Sequence, residues 1–177
     1  DARERAAGRD PSAMGEPQRQ AEREERGKLL DDQARLIRST LEHIDLLKEG
    51  HTFTITTGHQ LNIFTGPLYF HYKIVTVINT CKKLKAAYPD HHFVPVYWMA
   101  SEDHDLDEIN HFWHEGKKIN WETKQRGAVG RMKPEGLPDL AAKLPEAASF
   151  FKEAYQAQSL ADATRQYVNH LYGAEGL

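Results

Sequence analysis

The chain has 177 residues, of which 40% are hydrophobic and 28% charged, with a formal net charge of -3 and a pI of about 6.4. One soluble globular domain is expected from that length, and nothing favours nucleic acid as a partner, because that needs a basic face which this charge balance does not supply. No apolar run approaches the ~20 residues of a membrane span, the N-terminus lacks a signal-peptide core, and Cys81 is the only cysteine, so a cytoplasmic protein without disulfides or membrane is expected.

Residues 1–28 contain no Leu, Ile, Val or aromatic side chain and are expected to form a flexible or solvated arm, leaving 29–177 as the folded part. Leu30, Ala34, Ile37, Leu41 and Ile44 recur at alternating spacings of four and three, which predicts a helix from about Asp31 to Lys48 with Gly50 as its stop. Phe53, Ile55 and Thr57 then alternate with Thr52, Thr54 and Thr56 as in a strand with one apolar face, and Gly58 is expected to end it. Thr65 or Gly66 reads as a helix cap with Pro67 in the first turn. The following long helix is expected to bury Leu68, Tyr72, Val75, Ile78 and Leu84, and its close in Lys82, Lys83 and Lys85 suits a negative C-terminal end.

His92 to Met99 is a near-continuous apolar run that predicts a strand buried on both faces, with Pro95 counting against it. Two strands joined by a helix of about twenty residues predict a right-handed βαβ unit with parallel pairing. WHEGKKINW predicts a hairpin turning at Glu115 and Gly116 that adds an antiparallel strand to the sheet. Residues 134–145 read as loop. Residues 147–172 read as helix, with Phe150, Phe151, Tyr155, Leu160, Tyr167 and Leu171 available for packing.

Ligands of open α/β sheets sit beyond the carboxyl ends of the strands, where both Gly58-His59 and Ser101 to Asp107 are predicted to fall. Thr56, Gly58 and His59 form a Thr-x-Gly-His element: the glycine lets backbone approach a ligand, and the imidazole donates to an anion. Amides at Thr65 and Gly66 would favour a phosphate, Gln60 and Asn62 could reach the same cleft, and Lys73 follows on the helix. In ASEDHDLDE, the acids Glu102, Asp103 and Asp105 surround His104 and could hold an amine or sugar hydroxyls. The same acids also suit a solvated loop with helix caps. Arg126 and Arg131 flank GAVG and suit carboxylate or phosphate recognition. His104, His111 and His114 with Asp103 and Asp105 have spacings that argue against a metal centre, so no metal is expected. Cys81, at the apolar spacing between Ile78 and Leu84, reads as a buried, inert thiol.

Three stretches, TFTITTGHQLNIFTGPLYFHYKIVTVIN, FVPVYWMASEDHDLDEINHF and GKKINWETKQRGAVGRM, together resemble the bacillithiol biosynthesis cysteine-adding enzymes, the cysteine ligase family BshC, in a likeness that runs from Leu29 to Leu177. The resemblance implies a Rossmann-like three-layer α/β core related to nucleotidyltransferases and class I tRNA synthetases, whose [Thr/His]-x-Gly-His element is matched by Thr56, Thr57, Gly58 and His59. It implies amide formation between L-cysteine and the amine of glucosaminyl-malate; because that needs an activated carboxylate, ATP or another adenine nucleotide is the expected activating group. Under it, His59, Asp103, His104 and Asp105 serve catalysis, while Thr56, Gly58, His59, Thr65 and Gly66 hold the nucleotide. Gln60, Asn62, Glu102, Arg126 and Arg131 then face substrate. It further implies a full-length homodimer with a coiled-coil insertion and a second half of the core beyond Leu177, so the isolated chain is expected to be inactive. Two other readings are a nucleotide-binding module without chemistry and a metal-dependent hydrolase built on the His and Asp cluster.

Overall fold

The computed structural model describes residues 38–177 together with Glu16, Pro17, Gln20 and Glu24. The rest of the expected arm, and the helix expected from Asp31 as far as residue 37, lie outside the described residues. The chain divides into two units, Asp1–Arg35 and Leu36–Leu177, and every element below belongs to the second. Residues 38–46 are helical, and residues 47–50 form the turn that the stop at Gly50 anticipated.

Strand β1 (Thr52–Gln60) pairs in parallel with β2 (His92–Ala100) along its whole length, from Thr52 opposite His92 to Gln60 opposite Ala100. Helix α1 (Leu68–Ala87) makes the crossover and packs on both strands. The expected parallel βαβ unit is therefore present. Gly58 does not end β1; it lies inside the strand opposite Trp98, because a glycine with no left-handed requirement can stay in the ladder. Pro95 is tolerated opposite Ile55, since among the described residues β2 pairs on one side only, with β1, and its other edge asks for no donor. Nor is β2 buried on both faces: Trp98 is 61% exposed and, on β1, Phe53 is 51% exposed.

The burial of α1 also departs from expectation. Its buried side chains are Phe70, Ile74, Val77, Ile78 and Cys81, whereas Leu68, Tyr72 and Val75 are exposed. A helix apolar on more than one side offers two candidate stripes, and the sheet takes the one led by Phe70. The cap lies further along than expected as well: Pro67, extended at φ -73 and ψ 153, is the N-cap residue, with no side-chain cap bond from Thr65 or Gly66. Proline fits there because the position needs no backbone donor.

Short helix α2 (Leu106–Ile109) leads into β3 (His111–His114), which pairs antiparallel with β4 (Lys117–Asn120). Glu115 at φ 50 and Gly116 at φ 73 give the tight turn the sequence called for. The hairpin is a separate two-stranded sheet, not an addition to β1 and β2. Residues expected to be loop contain helix α3 (Leu137–Ala141). The single helix expected over 147–172 is broken into α4 (Phe150–Ala154) and α5 (Leu160–Tyr172). Ser159 makes the break: its Oγ accepts from the Asp162 amide at 3.1 Å, capping α5 and stopping the preceding helix from running on.

Leu61, Ile63, Phe70, Ile74, Tyr155, Leu160 and Tyr167 form the centre of one core, each no more than 2% exposed. Burying each side chain of this size contributes about 1.5–3 kcal/mol. Between β1 and α1 the chain makes an unusual turn: Phe64, Thr65 and Gly66 are consecutive residues with φ of 51°, 69° and 62°. Left-handed backbone costs on the order of 1–3 kcal/mol at a non-glycine residue, and the core offsets it. The Phe64 amide donates to the Tyr155 hydroxyl at 2.7 Å, and its ring meets Phe112, Phe151 and Tyr155 at centroid distances of 4.5, 5.2 and 5.0 Å.

Candidate functional site

The carboxyl ends of β1 and β2 bring two motifs together. Gln60, the last residue of β1, donates through Nε2 to Asp103 Oδ2 at 2.8 Å and to Glu108 Oε2 at 3.0 Å. Asp103 Oδ1 accepts the Asp105 amide at 2.9 Å. The Asp105 amide first, and the Gln60 amide second, hold the Asp103 carboxyl below its ordinary pKa. Asp103 is thus an ionised, acceptor-only anchor whose two oxygens are engaged by the protein. Asp105 begins α2 with no side-chain cap bond, so its exposed carboxylate is not spent on capping.

A third motif is stitched to the second. The Val129 amide donates to the Asp103 carbonyl at 2.7 Å, and the Gly130 amide donates to the Ser101 carbonyl at 2.9 Å. Gly130 is required by proximity: a Cβ there would lie 2.5 Å from Ser101 Cβ and 2.6 Å from its carbonyl oxygen. The contact places Arg131 beside Glu102 and His104 in a cleft of about 610 Å³, which Ser159 also lines. Arg126 lies in an adjoining recess of about 330 Å³ that shares Arg131 with this cleft.

His59 sits one residue before Gln60. Its ring packs edge-on to Phe70 and Tyr69, and Asn62 Nδ2 lies 3.0 Å from its Nδ1. Asn62 is only 7% exposed and bonds the Gln60 carbonyl at 2.9 Å, so its amide serves the protein and does not open on the cleft. Thr65 is buried with its hydroxyl on the Phe64 carbonyl, and His71 Nε2 lies 3.0 Å from that hydroxyl. That is a correction to its expected place at an exposed helix start. Thr56 is exposed on β1. Lys73 reaches back from α1, donating to the Gly58 carbonyl with its ammonium 5.0 Å from the centre of the Tyr69 ring.

Residues 9–177 match the family described as Bacillithiol biosynthesis BshC, N-terminal Rossmann-like domain. The chain belongs to that family. Among its relatives are proteins of Flavobacterium psychrophilum, 51% identical, and Flavobacterium johnsoniae, 47% identical, each aligned over 78% of this chain and 28% of the relative. A protein of Natranaerobius thermophilus is 34% identical over 76% of this chain and 28% of its own length. All three are named "Putative cysteine ligase BshC". The chain spans a little over a quarter of the length of these relatives.

Within this BshC-family domain, sequence reasoning missed the residues that brace the site from behind. Tyr167 donates to the Asn62 carbonyl at 2.7 Å, Tyr155 takes the Phe64 amide, and His71 meets both Thr65 and the Tyr172 hydroxyl. Burial lowers the His71 pKa, favouring its neutral form. Among the described residues no group of three or more His, Cys, Asp or Glu is arranged to hold a metal ion, and none of the helices there is long and apolar enough to cross a membrane.

Proposed function

We propose that this chain forms the nucleotide-binding N-terminal part of a cytoplasmic, homodimeric cysteine ligase of bacillithiol biosynthesis, which joins L-cysteine through an amide to the amine of glucosaminyl-malate. Family membership supports the reaction. One observation supports the location: Gln60, adjacent to His59, bonds Asp103 at 2.8 Å, which favours reading the Thr-x-Gly-His and acidic motifs as parts of one site.

Amide formation needs an activated carboxylate, and ATP or another adenine nucleotide supplies that activation when bound. The residues at the end of β1 suit its phosphates. Gly58 has no positive φ, and a Cβ there would meet Trp98 only at an ordinary 3.6 Å; the chain's own packing does not ask for glycine, whereas close approach of a ligand does. His59 and Lys73 bring cationic or N–H donors to the same place. The exposed Asp105 carboxylate is suited to orienting the attacking amine, with His104 beside it, and the forks of Arg126 and Arg131 suit the carboxylates of malate.

In a full-length version, His59→Ala is expected to lower turnover on the order of a hundredfold while leaving the melting temperature within a few degrees. Product formation from cysteine, glucosaminyl-malate and ATP, followed beside a thermal melt, checks both. Unchanged turnover would remove His59 from the site. Nucleotide binding by the wild-type protein without any product would instead identify a binding module.

A further inference from the structure

Asn62 lies three residues beyond His59 and shares its hydrogen-bonding nitrogen. The Asn62 Nδ2 is 2.9 Å from the Gln60 carbonyl oxygen, which fixes the amide orientation, because the alternative would set Oδ1 against that oxygen. One amide hydrogen is thereby used. The other addresses His59 Nδ1 at 3.0 Å, and an amide nitrogen has no lone pair with which to accept. As the acceptor of that hydrogen, Nδ1 presents its own lone pair, which in a neutral imidazole leaves the proton on Nε2.

The Gln60 carbonyl also lies 3.1 Å from His59 Nδ1 and would accept from the opposite, Nδ1–H, tautomer. Asn62 decides between the two arrangements. The residue is itself held from two sides: Tyr167 donates to its backbone carbonyl at 2.7 Å, and Gly66 leaves space for its side chain, since a Cβ on Gly66 would fall 2.6 Å from Asn62 Cβ and Cγ. Among the described residues nothing bonds His59 Nε2.

We infer that Asn62 is a positioning residue that fixes the neutral His59 imidazole in the Nε2–H tautomer, so that the nitrogen left for a ligand is a donor. An anion at this strand end then meets an N–H without the ring first taking up a proton. This functional meaning rests on the reading of the β1 end as a phosphate site, whereas the tautomer does not.

The test is a long-range proton–nitrogen correlation spectrum of the ¹⁵N-histidine-labelled chain at alkaline pH, with the His59 signals identified by their loss in His59→Gln. The expected wild-type pattern is that of a ring protonated on Nε2, and a ring protonated on Nδ1 would overturn the assignment outright. Asn62→Asp replaces the donor by a carboxylate that accepts from Nδ1–H, so the predominant tautomer should reverse; a folded variant that keeps the wild-type pattern would also overturn it. If Asn62→Asp does not fold, the wild-type spectrum alone decides. Titration with inorganic pyrophosphate is the separate arm: a shift of the His59 Nε2–H signal supports the phosphate site, and its absence defeats that reading while leaving the tautomer assignment standing.

Discussion

Gln60 and Asp103 are 43 positions apart, yet the amide of one donates to the carboxylate of the other at 2.8 Å across the ends of two parallel strands. The bond closes the gap between β1 and the acidic loop and, after the Asp105 amide, is the second of the interactions that lower the Asp103 pKa, with His104 contributing less. Gln60→Ala is expected to raise the Asp103 pKa toward its ordinary value without reaching it, because the Asp105 amide remains. A carbon-detected titration of the Asp103 carboxyl reads this, and an unmoved midpoint would show that the bond contributes nothing.

Tyr155→Phe removes the acceptor of the Phe64 amide at a turn that is already left-handed. A buried backbone donor left without a partner costs about 1–3 kcal/mol, so chemical denaturation should show a loss in that range. Tyr155 lines none of the clefts that hold Glu102, His104, Arg126 and Arg131, so the effect should fall on stability before chemistry.

His71 gives the fold a pH dependence whose sign follows from burial. Its folded pKa is lowered, so on acidification the unfolded chain takes up a proton at this ring first. Stability from His71 is present above about pH 6.5, the ordinary histidine value, and is lost as pH falls from there through the folded pKa. Melting temperatures from pH 8 to pH 5 should decline, and His71→Gln should flatten the decline.

Gly130→Ala forces a Cβ within 2.6 Å of the Ser101 carbonyl. Overpacking of this kind costs about 1–3 kcal/mol, and it should part the Arg131 loop from the acidic loop. Amide hydrogen exchange at Val129 and Gly130 is the measurement: faster exchange at both is expected, and unchanged protection would show that the loops adjust.

The sequence made the βαβ unit legible because its period-two and near-continuous apolar runs have one reading, and the hairpin legible because Glu115-Gly116 is a turn of defined chemistry. It misled on α1, where Leu68, Tyr72 and Val75 form an apolar stripe as good as the buried one led by Phe70. Only the position of the sheet separates them. At the site, Gly58, His59 and the acidic run could be found as motifs at strand ends. That Asn62 and Thr65 face inward could not, since their partners Tyr167 and His71 are set by tertiary packing, and nothing in local spacing marks a tyrosine 105 positions away as the brace of Asn62.

That distance along the chain has a consequence for synthesis. The ribosome adds about 5–20 residues per second, so the Thr-x-Gly-His element is made about 5 to 20 seconds before Tyr155 and Tyr167. Until those two hydroxyls arrive, the Phe64 amide and the Asn62 backbone carbonyl lack their native partners. The motif is complete as a string of letters well before it is complete as a shape, because its geometry waits for Tyr155 and Tyr167.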